Sequence, residues 1–283
     1  MKICIGTAQF GLDYGINNLN GKPDESNVYR ILDYAHLKGI RHLDTADAYG
    51  DSLDILGRYF RQSATNYVIH NKFGVDGTPL KQMVIKALNK LNRSKIETYY
   101  FHTYSDYSNY PTYHQQISEL KEEGLINSIG VSIYENEEFE AACNEEIIDV
   151  IQLPYNLLDN YHQRGSLMEY AKSLGKKLHI RSIFLQGLFF LGRENLPSKL
   201  SHLVPYLAQI KDISRDAGVS VNQLAMGYAM QTPGIDKVIL GVDSLDQLEI
   251  NLRLSEIILP RSVIDRVGEI HVNEAELLYP KNW

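Results

Sequence analysis

Eight short apolar segments recur along the chain, and stretches with helical periodicity separate them. Each segment has three to six residues, a length that favours a strand over a buried helix. Regular alternation of strands and helices is typical of a parallel sheet covered by helices. The predicted strands are Ile3–Ile5, Arg41–Asp44, Tyr67–Lys72, Thr98–His102, Ser128–Ser132, Val150–Gln152, Leu178–Ile183 and Val238–Leu240.

The stretches between these segments carry apolar residues on one helical face. After the first segment, Val28, Ile31, Leu32 and Ala35 follow the i, i+3, i+4, i+7 spacing, which predicts an amphipathic helix. Near the end of the chain, Ser244–Gln247 has the pattern of a capping box, which predicts the start of the last strand-following helix.

Eight strand–helix units predict a parallel (β/α)8 TIM barrel, as a single α/β domain over residues 1–283. The chain has no linker rich in proline, glycine or serine that would divide it. The alternative architecture, a doubly wound open sheet, needs a G-x-G-x-x-G phosphate loop after its first strand. The segment Gly6–Gly11 lacks that spacing.

The charge and cysteine content exclude several function classes. With 28 basic and 35 acidic residues, the net charge of −7 opposes binding of nucleic acid or an anionic membrane surface. The two cysteines form neither a disulfide framework nor a metal-binding spacing, so we expect no metal and a reducing, cytoplasmic location. The apolar runs are too short for a secretion signal or a membrane span.

Four polar residues are predicted to lie at the carboxyl ends of three consecutive strands. Asp44 ends the second strand and Tyr49 follows in its loop, while Lys72 and His102 end the third and fourth strands. In a (β/α)8 barrel these ends meet at one mouth, where active sites are built. Each residue alone has an ordinary structural interpretation, such as a helix cap or a packed core side chain. Their grouping predicts a catalytic site.

The same residues carry a resemblance to a known family. The segment Leu43–Gly50 resembles the part of the aldo-keto reductases that holds their catalytic Asp and Tyr, and Lys72 and His102 match the family's catalytic Lys and His in order and strand placement. The opening segment Gly6–Gly11, together with Tyr14–Ile16, resembles a bacterial subgroup. Further matches occur at Gly130–Ser132, Ile151–Asn156, Arg181–Gly187, Val238–Gly241 and Gln247–Asn251. The resemblance implies NAD(P)H-dependent reduction of an aldehyde or ketone, including sugar-derived carbonyls.

The residue types suit carbonyl reduction. Tyrosine, with an ordinary pKa near 10, is a poor acid at neutral pH unless a neighbouring charge changes that pKa. An ammonium at Lys72 would stabilise the phenolate of Tyr49, and Asp44 would hold Lys72 charged. His102 would donate a hydrogen bond to the substrate oxygen. We therefore assign Tyr49 as the general acid in reduction.

The resemblance also implies a nicotinamide dinucleotide bound without a Rossmann fold, NADPH by family habit, with NADH as the alternative. Ser132 and Gln152 match positions that hold the nicotinamide carboxamide. Arg181 stands where family members stack an aromatic ring on the nicotinamide, and its planar guanidinium could stack instead. The predicted cofactor-binding residues are Ser132, Gln152, Arg181, Ser182, Gln186, Gly187, Gly241, Val242, Ser244, Gln247 and Asn251.

Two departures from the family pattern bear on the cofactor. Ile133 stands where the family has Asn, which removes a polar contact near the nicotinamide. The segment Gly241–Gln247 contains no Lys or Arg for a 2′-phosphate and does contain Asp243, whose charge would repel one. We therefore expect a weaker preference for NADPH over NADH than the family shows.

Two other functions remain open on the sequence: a cofactor-binding regulatory subunit with little turnover, and a barrel isomerase or aldolase with Lys72 as a Schiff base. The complete set of four polar residues favours the reductase, with a small-molecule carbonyl substrate as its partner. We expect His70 to point away from the site. Six tyrosines either line a polar substrate site or pack in a strand and a surface loop: Tyr99, Tyr100, Tyr104, Tyr107, Tyr110 and Tyr113.

Overall fold

A computed structural model describes residues 1–16, 18 and 21–283 of the chain. Eight parallel strands close into a barrel in chain order, with β8 hydrogen-bonded to β1. This arrangement confirms the predicted (β/α)8 TIM barrel. The strands are β1 (Ile3–Gly6), β2 (His42–Ala46), β3 (Val68–Phe73), β4 (Ile96–Phe101), β5 (Ile126–Ser132), β6 (Val150–Pro154), β7 (Lys177–Arg181) and β8 (Lys237–Gly241).

Helices alternate with the strands and cover the outside of the barrel. Extra helical segments lie in the loops after β1, β4 and β7, and a further helix follows the last strand–helix unit. In the described part of the chain the α-helices are α1 (Ala8–Gly11), α2 (Glu25–Leu37), α3 (Ser52–Gln62), α4 (Leu80–Leu91), α5 (Tyr104–Asn109), α6 (Tyr113–Glu122), α7 (Asn136–Asn144), α8 (Tyr161–Ser173), α9 (Val204–Asp216), α10 (Val221–Gln231), α11 (Leu245–Leu254) and α12 (Arg261–Gly268).

Every predicted strand overlaps an observed one, and the ends differ by at most two residues. One of the two-residue errors is at β7, which ends at Arg181 instead of Ile183. Ser182 has a φ of 61°, which lies outside the extended region and stops the strand. β4 likewise ends at Phe101, so His102 belongs to the following loop.

The helix predicted after β1 is observed as α2, and its four predicted apolar residues are all buried. Ser244 caps α11 as predicted, because its hydroxyl accepts a hydrogen bond from Gln247 N at 3.3 Å. The second half of the predicted capping box is wrong. Gln247 Oε1 accepts from the backbone N of Asp243, at 3.2 Å, and not from that of Ser244. The Gln247 side chain thereby fixes the loop between β8 and α11.

The inside of the barrel is unusually polar. His42 Nδ1 and His70 Nε2 are 3.0 Å apart, and the Tyr100 hydroxyl lies 2.7 Å from His179 Nδ1. TIM barrels are mostly filled by branched apolar side chains, so this buried histidine–tyrosine group is a departure. His70 lies on the same strand face as Lys72, because residues two apart in a strand share a face. The alternation that was expected to turn His70 to the other face is therefore wrong, although His70 is not among the described residues that line the cavity.

Among the described helices, none has the combination of length and apolar character that crossing a bilayer requires.

Candidate active site

A cavity of about 750 Å³ opens at the carboxyl ends of the barrel strands. Its volume lies within the range of about 300–1,000 Å³ that is usual for small-molecule sites. The structure brings the four predicted catalytic residues together on its wall: Asp44, Tyr49, Lys72 and His102. The barrel is responsible for this grouping, because parallel neighbouring strands end at the same rim.

Lys72 and Asp44 form a buried ion pair at the floor of the cavity. Lys72 Nζ donates to Asp44 Oδ1 and also to the carbonyl of Thr45, at 3.1 Å, and the two charged side chains are only 2% and 3% exposed. Burial alone would lower the pKa of Lys72, but the negative charge of Asp44 and the nearby Tyr49 outweigh it, so the pKa is raised. An amine whose pKa is raised stays protonated at neutral pH and is then a poor nucleophile, which opposes the Schiff-base alternative.

Gln152 completes the floor. Its Nε2 donates to Asp44 Oδ2 at 2.8 Å, so both carboxylate oxygens of Asp44 are hydrogen-bonded. The Gln152 side chain is fully buried, and its Oε1 has no partner among the described residues. Because a buried amide oxygen normally accepts a hydrogen bond, this atom is suited to an N–H group of a ligand in the cavity.

Tyr49 lies beside the ion pair and against His102. The centroid of its ring is 5.2 Å from Lys72 Nζ and 6.2 Å from the His102 ring, which it meets edge-on. Burial raises the pKa of Tyr49, and the positive charges of Lys72 and Arg181 act in the opposite direction. The effect expected of Lys72 is therefore present but smaller than that of burial. The phenol stays protonated at neutral pH, as a proton donor must.

His102 is held in its neutral form. Burial, together with the positive charges of Lys72 and Arg181, lowers its pKa to about 4. A neutral imidazole at neutral pH carries one N–H, which it can donate to an oxygen atom in the cavity.

Nine of the predicted cofactor-binding residues line the cavity: Ser132, Gln152, Arg181, Ser182, Gln186, Gly187, Gly241, Gln247 and Asn251. The other two do not. Val242 is a fully buried residue of the β8–α11 loop, and Ser244 faces a separate depression that Lys22 and Arg30 also line.

The loop after β7 has an unusual backbone. The φ angles are positive at four residues of this loop, a region that residues other than glycine rarely adopt. They are 61°, 45°, 55° and 90° at Ser182, Leu185, Gln186 and Gly187. Gln186 Nε2 donates to the Tyr14 hydroxyl at 3.1 Å, which connects this loop to the β1–α2 loop. Non-glycine residues in this region cost free energy and are concentrated at ligand-binding sites.

Arg181 takes a position that the sequence did not predict. Its guanidinium lies over the Tyr134 ring, with Cζ 4.3 Å from the ring centroid, and Nη2 donates to the carbonyl of Ile133 at 3.1 Å. Tyr134 and Tyr14 both line the cavity and were missed by sequence reasoning. Tyr14 belongs to the opening segment that resembles a bacterial subgroup, but no role in the site was assigned to it. Tyr134 belongs to no motif, and the one available indication was that it follows a strand in a loop at the mouth.

The six clustered tyrosines are not part of the site. None of them is among the described residues that line the cavity. Three of them are buried in the packing between β4 and its neighbouring helices: Tyr99, Tyr107 and Tyr113. Tyr100 is buried inside the barrel, where its hydroxyl lies beside His179. Packing, and not a sugar-like substrate site, accounts for them.

Comparison with known proteins agrees with this architecture. The model of the aldo/keto reductase family matches residues 2–272. The aldo-keto reductase str7 of Strobilurus tenacellus is 22% identical over 282 residues, covering 90% of this chain and 83% of its own length. The aldo-keto reductase YhdN of Bacillus subtilis is 25% identical over 288 residues, covering 90% and 84%.

Solved structures show the same fold. The holo form of the aldo-keto reductase AKR11C1 from Bacillus halodurans has a TM-score of 0.77 at 21% identity, covering 96% of this chain and 94% of that one. The glycerol dehydrogenase AKR11B4 from Gluconobacter oxydans has a TM-score of 0.75 at 19% identity, covering 95% and 90%.

Proposed function

The chain belongs to the aldo/keto reductase family, and from that membership we propose that it reduces an aldehyde or ketone to an alcohol with a nicotinamide dinucleotide. The observation that carries the proposal is the buried Asp44–Lys72 pair beside Tyr49 and the neutral His102 on one cavity wall. This set supplies a proton donor, a charge that stabilises its conjugate base and a hydrogen-bond donor for the carbonyl oxygen.

In the proposed reaction the carbonyl oxygen accepts a hydrogen bond from the neutral imidazole of His102 and faces the hydroxyl of Tyr49. When bound, the reduced nicotinamide supplies a hydride to the carbonyl carbon. The Tyr49 hydroxyl gives its proton to the oxygen as negative charge develops there, which yields the alcohol. The phenolate left on Tyr49 is stabilised by the positive charge of Lys72, which Asp44 holds in place, until solvent returns a proton.

The described residues fit a nicotinamide dinucleotide. The unpartnered Oε1 of Gln152 suits the N–H of a carboxamide, and the Ser132 hydroxyl lines the same wall. Gly187 and Gly241 leave the backbone accessible along the cavity, as phosphate groups require. We propose NADPH as the cofactor, with NADH accepted, and include Arg181, Ser182, Gln186, Gln247 and Asn251 among its contacts. Val242 and Ser244 would act through the backbone of the β8–α11 loop.

The test is a turnover assay that follows the loss of NADPH absorbance with aldehydes, ketones and sugar-derived carbonyls. We expect turnover with at least one class, and its loss in Tyr49→Phe. The Tyr110→Phe variant is a matched control, because Tyr110 lies on an exposed segment outside the cavity. Tight NADPH binding without turnover of any carbonyl would instead support the regulatory subunit. Reduction that survives in Tyr49→Phe would contradict the assignment of the acid.

A further inference from the structure

The ammonium group of Lys72 lies close to a second tyrosine ring, that of Tyr100. Lys72 Nζ is 5.9 Å from the centroid of the Tyr100 ring and 5.2 Å from that of Tyr49. Lys72 and Tyr100 are register partners on the neighbouring strands β3 and β4, so their side chains share the inner face of the barrel. Tyr100 is fully buried and is not among the described residues that line the cavity. It can therefore act on a reaction there only through a neighbour such as Lys72.

The hydrogen bonds of Lys72 hold its ammonium group from one side. Lys72 Nζ donates to Asp44 Oδ1 and to the carbonyl of Thr45, and both acceptors belong to β2. Tyr100 belongs to β4, the neighbour of β3 on the other side. A lysine side chain has a long flexible stem with many rotamers. The Tyr100 ring fills space into which this stem could otherwise move.

The Tyr100 ring is itself fixed in one place. Its register partner on β5 is Gly130, where a Cβ atom would lie 2.3 Å from Tyr100 Cδ1, so the ring has room only because this position has no side chain. Glycine inside a strand often marks such a close approach. The Tyr100 hydroxyl lies 2.7 Å from His179 Nδ1 on β7, and β5 and β6 separate β4 from β7. Tyr100 therefore bridges the inside of the barrel.

This bridge carries no charge that would compete with that of Lys72. Burial lowers the pKa of His179 to about 3, and it also lowers the pKa of His70, whose ring meets that of His179 edge-on at 5.1 Å between centroids. Burial raises the pKa of Tyr100, so its phenol stays protonated. At neutral pH the three side chains are uncharged.

The charges that act on the pKa of Tyr49 show why the position of Lys72 matters. Lys72 and Arg181 lower this pKa and Asp44 raises it, and the effect of Lys72 is the largest of the three. A displacement of the Lys72 ammonium would therefore change the acidity of Tyr49 more than a comparable displacement of the other two charges. Two further titratable side chains near Tyr49 are uncharged at neutral pH: His102 and Tyr14.

We propose that Tyr100 is a positioning residue, whose ring, anchored to His179, holds the Lys72 ammonium against Tyr49. The proposal rests on the proposed reductase function and adds a residue to the support of its site. Loss of the ring would leave space for the Lys72 stem to move and for water to enter. Both changes weaken the stabilisation of the Tyr49 phenolate by the positive charge.

The experiment compares Tyr100→Leu with the matched control Tyr99→Leu. Tyr99 precedes Tyr100 on β4, is equally buried, and stacks on Phe73 at 4.3 Å between ring centroids, on the outer face of the sheet. Each variant loses one fully buried ring, so both should be destabilised to a similar degree in urea unfolding. Only Tyr100→Leu should lower kcat, by about 10-fold, which is part of the about 10²–10⁴-fold contribution of a general acid.

The pH profile distinguishes positioning from a general loss of structure. Tyr100→Leu should raise the pH at which reduction declines, in the same direction as removal of the Lys72 charge, and leave the KM of the carbonyl and the affinity for NADPH within a few-fold of the native values. Tyr100→Phe keeps the ring and should restore most of kcat. A native kcat and pH profile in Tyr100→Leu, or the same changes in Tyr99→Leu, would overturn the proposal.

A measurement that needs no turnover separates this proposal from the proposed function. In protein labelled with 15N-lysine, the ammonium protons of a buried, hydrogen-bonded lysine exchange slowly with water. The signal of Lys72 is identified by its absence from the double variant Lys72→Met/Asp44→Asn. We expect slow exchange in the native chain and in Tyr99→Leu, and exchange at least about tenfold faster in Tyr100→Leu.

Faster exchange in Tyr100→Leu alone supports the positioning role even if no carbonyl is reduced, in which case the proposed function alone fails. Exchange at the native rate in Tyr100→Leu overturns the inference and leaves the reductase function intact. Circular dichroism checks that each variant is folded. If Tyr100→Leu does not fold, Tyr100→Met takes its place with the same expected outcomes, because methionine fills irregular space but has no ring.

Discussion

Gln152 Nε2 and Asp44 Oδ2 are joined by a hydrogen bond of 2.8 Å across the barrel, between residues 108 positions apart in the chain. Their strands, β6 and β2, lie on opposite sides of the closed sheet. The bond leaves Asp44 with one oxygen for Lys72 and one for Gln152, so the carboxylate cannot rotate away from the ion pair. The proposed acid therefore depends on a chain of contacts from Gln152 through Asp44 and Lys72 to Tyr49.

The first prediction tests Tyr49, the last residue in this series of contacts. Tyr49→Phe removes the acidic proton and leaves the ring in place, so kcat should fall by about 10²–10⁴-fold, the usual contribution of a general acid. The affinity for NADPH, measured by fluorescence titration, should stay nearly constant. A kcat within a few-fold of the native value would show that another group donates the proton.

The second prediction concerns Lys72. Its charge lowers the pKa of Tyr49, so Lys72→Met should raise the pH at which reduction declines as pH rises. The variant also leaves Asp44 charged, buried and unpaired, which typically costs about 3–5 kcal/mol of unfolding free energy.

The double variant Lys72→Met/Asp44→Asn separates the two effects. Without the buried charge of Asp44, most of the lost stability should return in urea unfolding, while kcat stays low. An unmoved pH profile in the single variant would show that Lys72 does not act on the phenol.

The third prediction concerns the choice of cofactor. Asp243 lines the cavity and its Oδ1 is buried without a partner among the described residues, so we expect it to oppose a 2′-phosphate. When one charge-assisted contact to the 2′-phosphate is missing, the preference for NADPH over NADH falls by about 10–100-fold. Asp243→Ser should therefore strengthen NADPH binding more than NADH binding. Asp246→Ser, on the exposed first turn of α11, is the matched control. A native preference for NADPH above about a thousandfold, or ~4 kcal/mol, would contradict the prediction.

The fourth prediction concerns stability in acid. Burial lowers the pKa of His179 from an ordinary 6.5 to about 3, and also lowers the pKa of His70 beside it. The unfolded chain then binds protons that the folded chain does not, so stability is unaffected above pH 6.5 and falls as the pH drops from there towards 3. His179→Gln should reduce the slope of melting temperature against pH in this window, and His202→Gln, on an exposed histidine, should not. Equal slopes in both variants would contradict the account.

Much of the fold follows from local pattern. The strands are short, apolar and separated by amphipathic helices such as α2, so their number and approximate limits are visible in the sequence. The end of β7 was misplaced because the positive φ of Ser182 depends on its contacts and not on its residue type. The direction of His70 was misjudged although the two-residue period of a strand was enough to place it beside Lys72.

The site was predictable only where a motif marked it. Asp44 and Lys72 belong to recognisable segments, and the ends of parallel strands are known to meet. The bond from Gln152 to Asp44 joins distant strands, and no local pattern encodes it. Tyr134 lies at the site because Arg164 Nη2 donates a hydrogen bond to its backbone carbonyl and holds its loop. This contact exists only in the folded chain.

The polar side chains inside the barrel also determine which part of the protein is best suited to stabilising substitutions. They are His42, His70, His179 and Tyr100. Because polar groups fill the inside of the barrel, the hydrophobic stabilisation of the fold comes mainly from the apolar layer between the outer face of the sheet and the helices. Residues such as Val28 and Leu32 are fully buried in this layer. Hydrogen-bonded interiors fix one arrangement of side chains more than they add stability. Heat-resistant forms are therefore best sought among the surrounding helices, with the lumen left as it is.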